Sequence, residues 1–403
     1  MKRSIVKLTV TFLATALIAA GCSTPAATTT AGTTTAGTTT AGTTSAGTTQ
    51  ATGDGIKLGV FEPLTGANAA GGQLELLGIK LANKVYPEVL GRKITLVEAD
   101  NKSDRVEAAN AAASLVNAKV SAVLGSWGSS LSIAGGPAFQ NAGVPAIGTS
   151  ATNPQVTEGN PFYYRVCFID PFQGTVMANY AFTTLGLKKA AIMREINSDY
   201  SVGLSKFFTE QFVKLGGEVV ATFDFQTNDQ DFNAQLTNLK ATDATVIFAP
   251  GNYTEVALMV KQARQLGITL PVLGGDTWET PQLIEIGGAE VEGIIFSTFF
   301  DKDHPLTDET KTFMEAWNKE YPGQEPAAVS ALGYDAYLMA YKAMEAAGSS
   351  EPAKIQEALG KVKDFQGATG VVNFDENRNA IKDAVIKTIK DGKFVFLDIV
   401  KGK

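Results

Sequence analysis

Histidine is almost missing from this 403-residue chain: His304 is the only one, and Cys22 and Cys167 are the only cysteines. With so little imidazole and thiol, neither a metal site of ordinary composition nor a His-based catalytic triad has material to work with, and no cofactor is expected. His304 lies in "DKDHP", whose aspartates and proline mark a solvated loop. No G-x-S-x-G elbow, Walker-type lysine or G-x-G-x-x-G follows a strand-like run, which argues against an exported esterase or another enzyme. There is no block of lysine or arginine either, and the net charge is −7. A nucleic-acid partner needs a basic stripe, so none is expected.

Long apolar runs are also scarce. The one near the start, Leu8 to Ala20, follows Lys2, Arg3 and Lys7 and ends "LIAAGC" at Cys22. It is too short to span a bilayer and reads as an export signal. It resembles a bacterial lipoprotein signal, in which cleavage before the cysteine leaves a thiol that carries lipid. Residues 1–21 would leave with three positive charges, taking the net charge from −7 to −10. Cys167 would then be the one unmodified thiol, so no internal disulfide framework is possible.

Residues 26–52, which begin "AATTTAGTTTAGTTTAG", contain no charge and no large apolar side chain. Such a segment cannot bury enough surface to offset its chain entropy, and reads as a linker. Residues 22–54 are thus expected to form a lipid-attached tether. A flexible coil of roughly 30 residues averages about 30 Å end to end and reaches about 100 Å when stretched.

From Gly55 onward the pattern becomes regular. Short β-branched runs ("GIKLGVFEPL", "KITLVEAD", "SAVLGS", "VPAIGTS") alternate with helical segments near 73–86, 104–118 and 129–141. After "FYYRVCF" the alternation restarts with "AAIMREI", "EVVATFDF", "TVIFAP", "LPVLGG" and "GIIFSTFF". Strands alternating with helices predict βαβ units, so the fold class is α/β with two doubly wound lobes. The final third has helices near 307–320, 327–346 and 352–359, then a strand pair with a hairpin at Asp391-Gly392. The expected division is 55–170 plus 300–350 for the first lobe and 171–299 plus 351–403 for the second.

Open α/β sheets hold ligands beyond the carboxyl ends of their strands. There the sequence places small polar residues: "LGSWGSS" brings Trp127, Ser129 and Ser130, and "GTSAT" brings Ser150 and Thr152. Helix N-terminal N–H groups and hydroxyls can hold a carboxylate without a cationic side chain, although a serine there can also be a plain N-cap. In the second series "VLGGDTWET" supplies Asp276 and Trp278, "FAPGNYTE" supplies Asn252 and Tyr253, and "NSDYSVGL" supplies Asp199 and Tyr200. A carboxylate opposite a carboxylate-binding turn suits an amino acid or related small zwitterion, with aromatic walls for its side chain.

These segments, from "IKLGVFEPLTG" to "ALGYDAYLMAYKAMEAAG", resemble the substrate-binding proteins of bacterial branched-chain amino-acid ABC importers. The most specific stretch is "PAFQNAGVPAIGTSATNP". The resemblance implies a type I periplasmic-binding fold with two lobes crossed by three hinge strands. It also implies a monomer that closes on its ligand and presents it to ABC permease subunits, or alternatively a sensor of amino acids, amides or small carboxylates that signals to a membrane receptor. Carried over by position, Ser129 would bind the ligand carboxylate, Thr152 both ends of the amino acid, Ser150 the ammonium through its carbonyl, and Asp276 the ammonium. Tyr200 would be a pocket aromatic. Asn252 stands where the family often has tyrosine, and the first loop, "TGANAAGGQ", lacks the aromatic several members carry. The resemblance further implies a location outside the cytoplasm, on the outer side of the cytoplasmic membrane or in the periplasm.

Overall fold

A computed structural model describes residues 55–402. The signal, Cys22 and the threonine-rich segment lie outside the described residues.

Six strands form the first sheet: β1 (Ile56–Glu62), β2 (Glu88–Val89), β3 (Arg92–Asp100), β4 (Ala122–Leu124), β5 (Ala146–Gly148) and β6 (Tyr163–Arg165). Their order is β2-β3-β1-β4-β5-β6, parallel except for β2. The central strand β1 buries all its side chains but Lys57, as a strand covered by helices on both faces must. The chain runs from β1 to β3 on one side and then crosses to β4 on the other. That reversal opens a crevice at the carboxyl ends of β1 and β4. Helices α1 (Ala69–Val85), α2 (Arg105–Asn117) and α3 (Ser129–Ala142) connect these strands.

The second lobe repeats the plan. It contains α4 (Asp170–Asn179), β7 (Lys189–Glu195), α5 (Asp199–Lys214), β8 (Glu218–Phe225), α6 (Asn233–Lys240), β9 (Val246–Phe248), α7 (Tyr253–Gln265), β10 (Val272–Gly274), α8 (Pro281–Gly287) and β11 (Ile295–Thr298). The chain then returns to the first lobe with α9 (Asp308–Glu320), α10 (Ala328–Ala347), α11 (Pro352–Leu359) and a small antiparallel sheet of β12 (Phe365–Gly367), β13 (Gly370–Phe374) and β14 (Ala380–Ile381). Finally β15 (Ala384–Lys390) and β16 (Lys393–Val400) extend the second sheet, whose order is β16-β15-β11-β10-β9-β7-β8. Its reversal lies between β7 and β9. The β15–β16 turn has Asp391 at φ 53° and Gly392 at φ 68°, the two left-handed residues that a tight two-residue hairpin needs.

Three segments cross between the lobes, at 166–169, 299–307 and 382–383. One expectation needs correction. Residues 352–381, predicted with the second lobe, pack on the first. Ile355 and Leu359 bury the apolar face of α11, the Tyr164 hydroxyl donates to the Gln356 carbonyl, and Asp335 on α10 accepts the N–H groups of Ala368 and Thr369. An amphipathic helix announces that it must be covered, not by which lobe.

Helix α10 is apolar nearly all round and crosses α1 in close contact. A Cβ on Gly78 would stand 1.7 Å from the Ser330 carbonyl oxygen, and one on Gly333 would stand 2.2 Å from that of Glu75. The two glycines, one on each helix, set that approach. Among the described residues no helix is long and apolar enough to cross a membrane.

Candidate ligand-binding site

The carboxyl ends of both sheets face one cleft, with a cavity of about 950 Å³. Its lining comes from the segments after β1 (Ala67, Asn68), β4 (Trp127, Ser129, Ser130), β5 (Ser150), β7 (Glu195, Tyr200), β9 (Asn252) and β10 (Asp276, Thr277).

On the first lobe, Gly128 at φ 89° turns the chain into α3, and the helix's first residues line the cavity. Ser129 is buried, and its Oγ accepts the Asn153 N–H at 3.1 Å, leaving the hydroxyl hydrogen free to donate. Trp127 is 1% exposed; its ring lies over Gly71, where a Cβ would be 2.2 Å from the indole, and its Nε1 has no partner. Ser150 lies beside Glu75. Behind this wall the carboxyl groups of Glu62 and Glu75 meet. Burial pushes both upward, Glu75 to about 7, while Glu62 accepts the Trp127 N–H at 2.8 Å and Glu75 the Thr149 hydroxyl at 2.6 Å. The pair therefore buttresses the Trp127 loop.

On the second lobe, Asp276 is 2% exposed and accepts from Gln173 Nε2 at 2.7 Å. Burial raises its carboxyl to about 6, with the Gln173 bond acting in the opposite direction. No cation pairs with it among the described residues. Tyr200 lies against Gly275, where a Cβ would meet its hydroxyl at 2.2 Å, and that hydroxyl is buried without a geometrically sound partner. Across the cleft from the N-terminus of α3, a buried, unpaired carboxylate can hold a cation while the hydroxyls and N–H groups hold an anion.

Seven predicted residues line this cavity: Trp127, Ser129, Ser130, Ser150, Tyr200, Asn252 and Asp276. Three do not. Trp278 is fully buried in the second lobe, its indole N–H donating to the Gly251 carbonyl at 3.1 Å and its ring filling the space left by Gly274. Thr152 is buried outside the cavity lining, its carbonyl accepting the Asp170 N–H at 3.0 Å and its hydroxyl without a hydrogen-bond partner. Tyr253 spans the lobes, its hydroxyl donating to the Ala67 carbonyl at 3.1 Å.

Ser130 also has a different part from the one expected. Its Oγ accepts the Asp199 N–H at 3.0 Å and Arg105 Nη2 at 3.1 Å, while Arg105 Nη1 pairs with Asp199 Oδ2 at 2.8 Å. Asn153 Nδ2 adds a bond to the Asp199 carbonyl at 2.7 Å. The lobes are therefore closed on each other, latched beside the cavity. Sequence reasoning missed Arg105, Asn68 and Glu195. Glu195 ends β7, so the strand-end rule that found Asp276 points to it as well.

A profile for periplasmic binding proteins matches residues 55–393. The chain belongs to that family. Its two-lobed α/β architecture is the type I periplasmic-binding fold, of the branched-chain amino-acid ABC transporter type. An amino acid binding protein of Pseudomonas aeruginosa is 31% identical over 348 residues, covering 84% of this chain and 91% of that one. The structure of a leucine binding protein, LivK, from Thermotoga maritima matches with 42% identity and a TM-score of 0.84, covering 86% of this chain and 99% of that one. LivJ of Streptococcus pneumoniae, solved with isoleucine, matches at 34% identity and a TM-score of 0.81, covering 86% and 100%. In this periplasmic binding protein the two-lobed architecture thus brings the strand-end residues to one cleft. Among the described residues no group of three or more His, Cys, Asp or Glu side chains is placed to hold a metal ion.

Proposed function

We propose that this chain is an extracytoplasmic solute-binding lipoprotein that captures an amino acid, branched-chain or related, and delivers it to an ABC importer. The observation that carries the reading is the opposition of Ser129, at the N-terminus of α3, and the buried Asp276 across one cleft. Ligand docks its carboxylate on the first lobe, and the second lobe swings over to bring Asp276 and Tyr200 to its ammonium. Charge-assisted hydrogen bonds contribute about 1.5–3 kcal/mol each, so three or four reach micromolar affinity, about −8 kcal/mol, after ordering costs. The similarity to an amino acid binding protein and to LivJ with isoleucine supports the ligand class. The signal-like segment ending at Cys22 supports the lipid anchor and the location outside the cytoplasm.

Calorimetry and thermal shift of the purified chain against amino acids, amides and short organic acids test the reading. Amino acids are expected to bind, and no heat from any of them overturns it. Cys22→Ala is expected to release the protein from membranes; continued attachment overturns the lipoprotein assignment.

A further inference from the structure

The far end of the cavity differs from the end that holds Asp276. Strands β10, β9 and β7 are neighbours, so Asp276, Asn252 and Glu195 stand in a row at their carboxyl ends. The Asn252 segment stands between the other two: the Thr277 hydroxyl donates to the Gly251 carbonyl at 2.8 Å, and the Asn252 N–H donates to Glu195 at 3.3 Å. Glu195 is 1% exposed and accepts the Asn252 N–H at 3.3 Å, Asn252 Nδ2 at 3.2 and 3.4 Å, and the Thr227 hydroxyl. Burial pushes the Glu195 carboxyl up to about 7; above that pH it is ionised and only accepts, which fixes the flip of the Asn252 amide, its NH₂ facing Glu195 and its oxygen facing away. Asn252 lines the cavity, and its Oδ1 makes no hydrogen bond among the described residues. Asn68, on the opposite wall, also has an unpartnered Oδ1. The nearby cations are engaged elsewhere, Lys102 with Glu107 and Arg105 with Asp199. This end of the cavity therefore presents the Asn252 oxygen as an acceptor beside the Asn68 amide, and Trp127 and Leu131 add apolar lining.

We propose that the ligand is an amino acid whose side chain ends in an N–H donor, an amide or an amine, which the Asn252 oxygen receives and Glu195 orients. The inference rests on the amino-acid reading above. The α-ammonium meets Asp276, a short methylene stem lies along Trp127, and the terminal N–H reaches Asn252 and Asn68. A branched alkyl end would dry these oxygens without pairing them, a loss of roughly tenfold or more in affinity per acceptor. Asn252 is then the specificity-determining contact and Glu195 a positioning residue.

Titration calorimetry of the intact chain with leucine, isoleucine, valine, glutamine, asparagine, lysine and ornithine tests this. At least one N–H-terminated ligand is expected to bind tenfold or more tighter than leucine. Tighter glutamine makes the Asn252 oxygen the main partner, and tighter lysine or ornithine makes it the Glu195 carboxylate. Asn252→Leu is expected to reduce that preference tenfold or more at unchanged Tm, and Glu195→Gln, which can no longer dictate the flip, to narrow it. Leucine within tenfold of every N–H-terminated ligand, or a preference that Asn252→Leu leaves unmoved, overturns the proposal and leaves the amino-acid reading standing. Binding of no amino acid at all overturns both.

Discussion

Trp127 and Trp278 follow strand ends of the same kind, one after β4 and the other after β10, and each lies over a glycine that leaves room for its ring. Both are fully buried. They differ in one bond: the Trp278 indole N–H donates to the Gly251 carbonyl, and the Trp127 N–H has no partner. A buried polar group that is satisfied belongs to the architecture. One without a partner beside a cavity leaves a donor available to whatever enters it. The first segment thus lines the cavity with an unpartnered indole N–H, and the second, apart from Asp276 and Thr277, packs inside its lobe.

Trp278→Ala tests the supporting side and carries the largest effect. Removing a fully buried indole is expected to cost about 3–5 kcal/mol of stability, read by denaturant unfolding, with ligand affinity at low temperature changed little. A large loss of affinity at preserved stability would move Trp278 into the site. Asp276→Asn should do the reverse. Removing the charge that faces the ammonium is expected to cost about 2–5 kcal/mol of binding. The Tm should hold or rise, because the buried carboxylate has no cation in the free protein.

The same carboxylate gives a pH signature. Burial holds it at about 6 in the free protein, above its ordinary 3.8. The folded state therefore keeps the proton longer than the unfolded chain, and this group's contribution to stability falls as pH rises from about 4 to 6. Ammonium binding favours the ionised form, so below about pH 6 the ligand must displace a proton. Affinity should then weaken by up to about tenfold per pH unit, with proton release visible as buffer-dependent heat in calorimetry. Asp276→Asn should remove this group's share of both slopes, leaving in the stability curve the part due to other buried carboxyls such as Glu75.

Trp127→Phe keeps the ring on Gly71 and deletes only the N–H. The expected loss is about 1.5 kcal/mol of binding, with no loss of Tm. Unchanged affinity would mean the indole is only a wall.

Much of this was legible in the sequence, because the helical and strand periods are strong and parallel strand ends are where ligands sit. Ser129, Ser150, Tyr200 and Asp276 could be picked out on that ground alone. Trp278 could not be told from Trp127, since the glycine opposite and the state of the N–H are facts of packing. Residues 352–381 were placed on the wrong lobe because the apolar face of α11 does not say what covers it. Glu195 was overlooked as part of its strand. The latch was invisible because Arg105 and Asp199 lie far apart in the chain and meet only where one lobe packs on the other.

That latch carries the smallest expected effect, and it separates closing from recognition. Arg105 pairs with Asp199 and also donates to the Asn197 carbonyl and Ser130 Oγ, so it ties the second lobe to the first. Its side chain is 49% exposed, which limits the ion pair to about 1 kcal/mol or less. Arg105→Ala is therefore expected to raise koff severalfold, with kon nearly unchanged, in stopped-flow measurements on the bound chain. High salt should reduce the difference between wild type and variant, because exposed pairs are screened. A change confined to kon would mean that Arg105 steers the ligand's carboxylate inward rather than holding the lobes shut, and Ser130 would then return to the recognition side of the comparison.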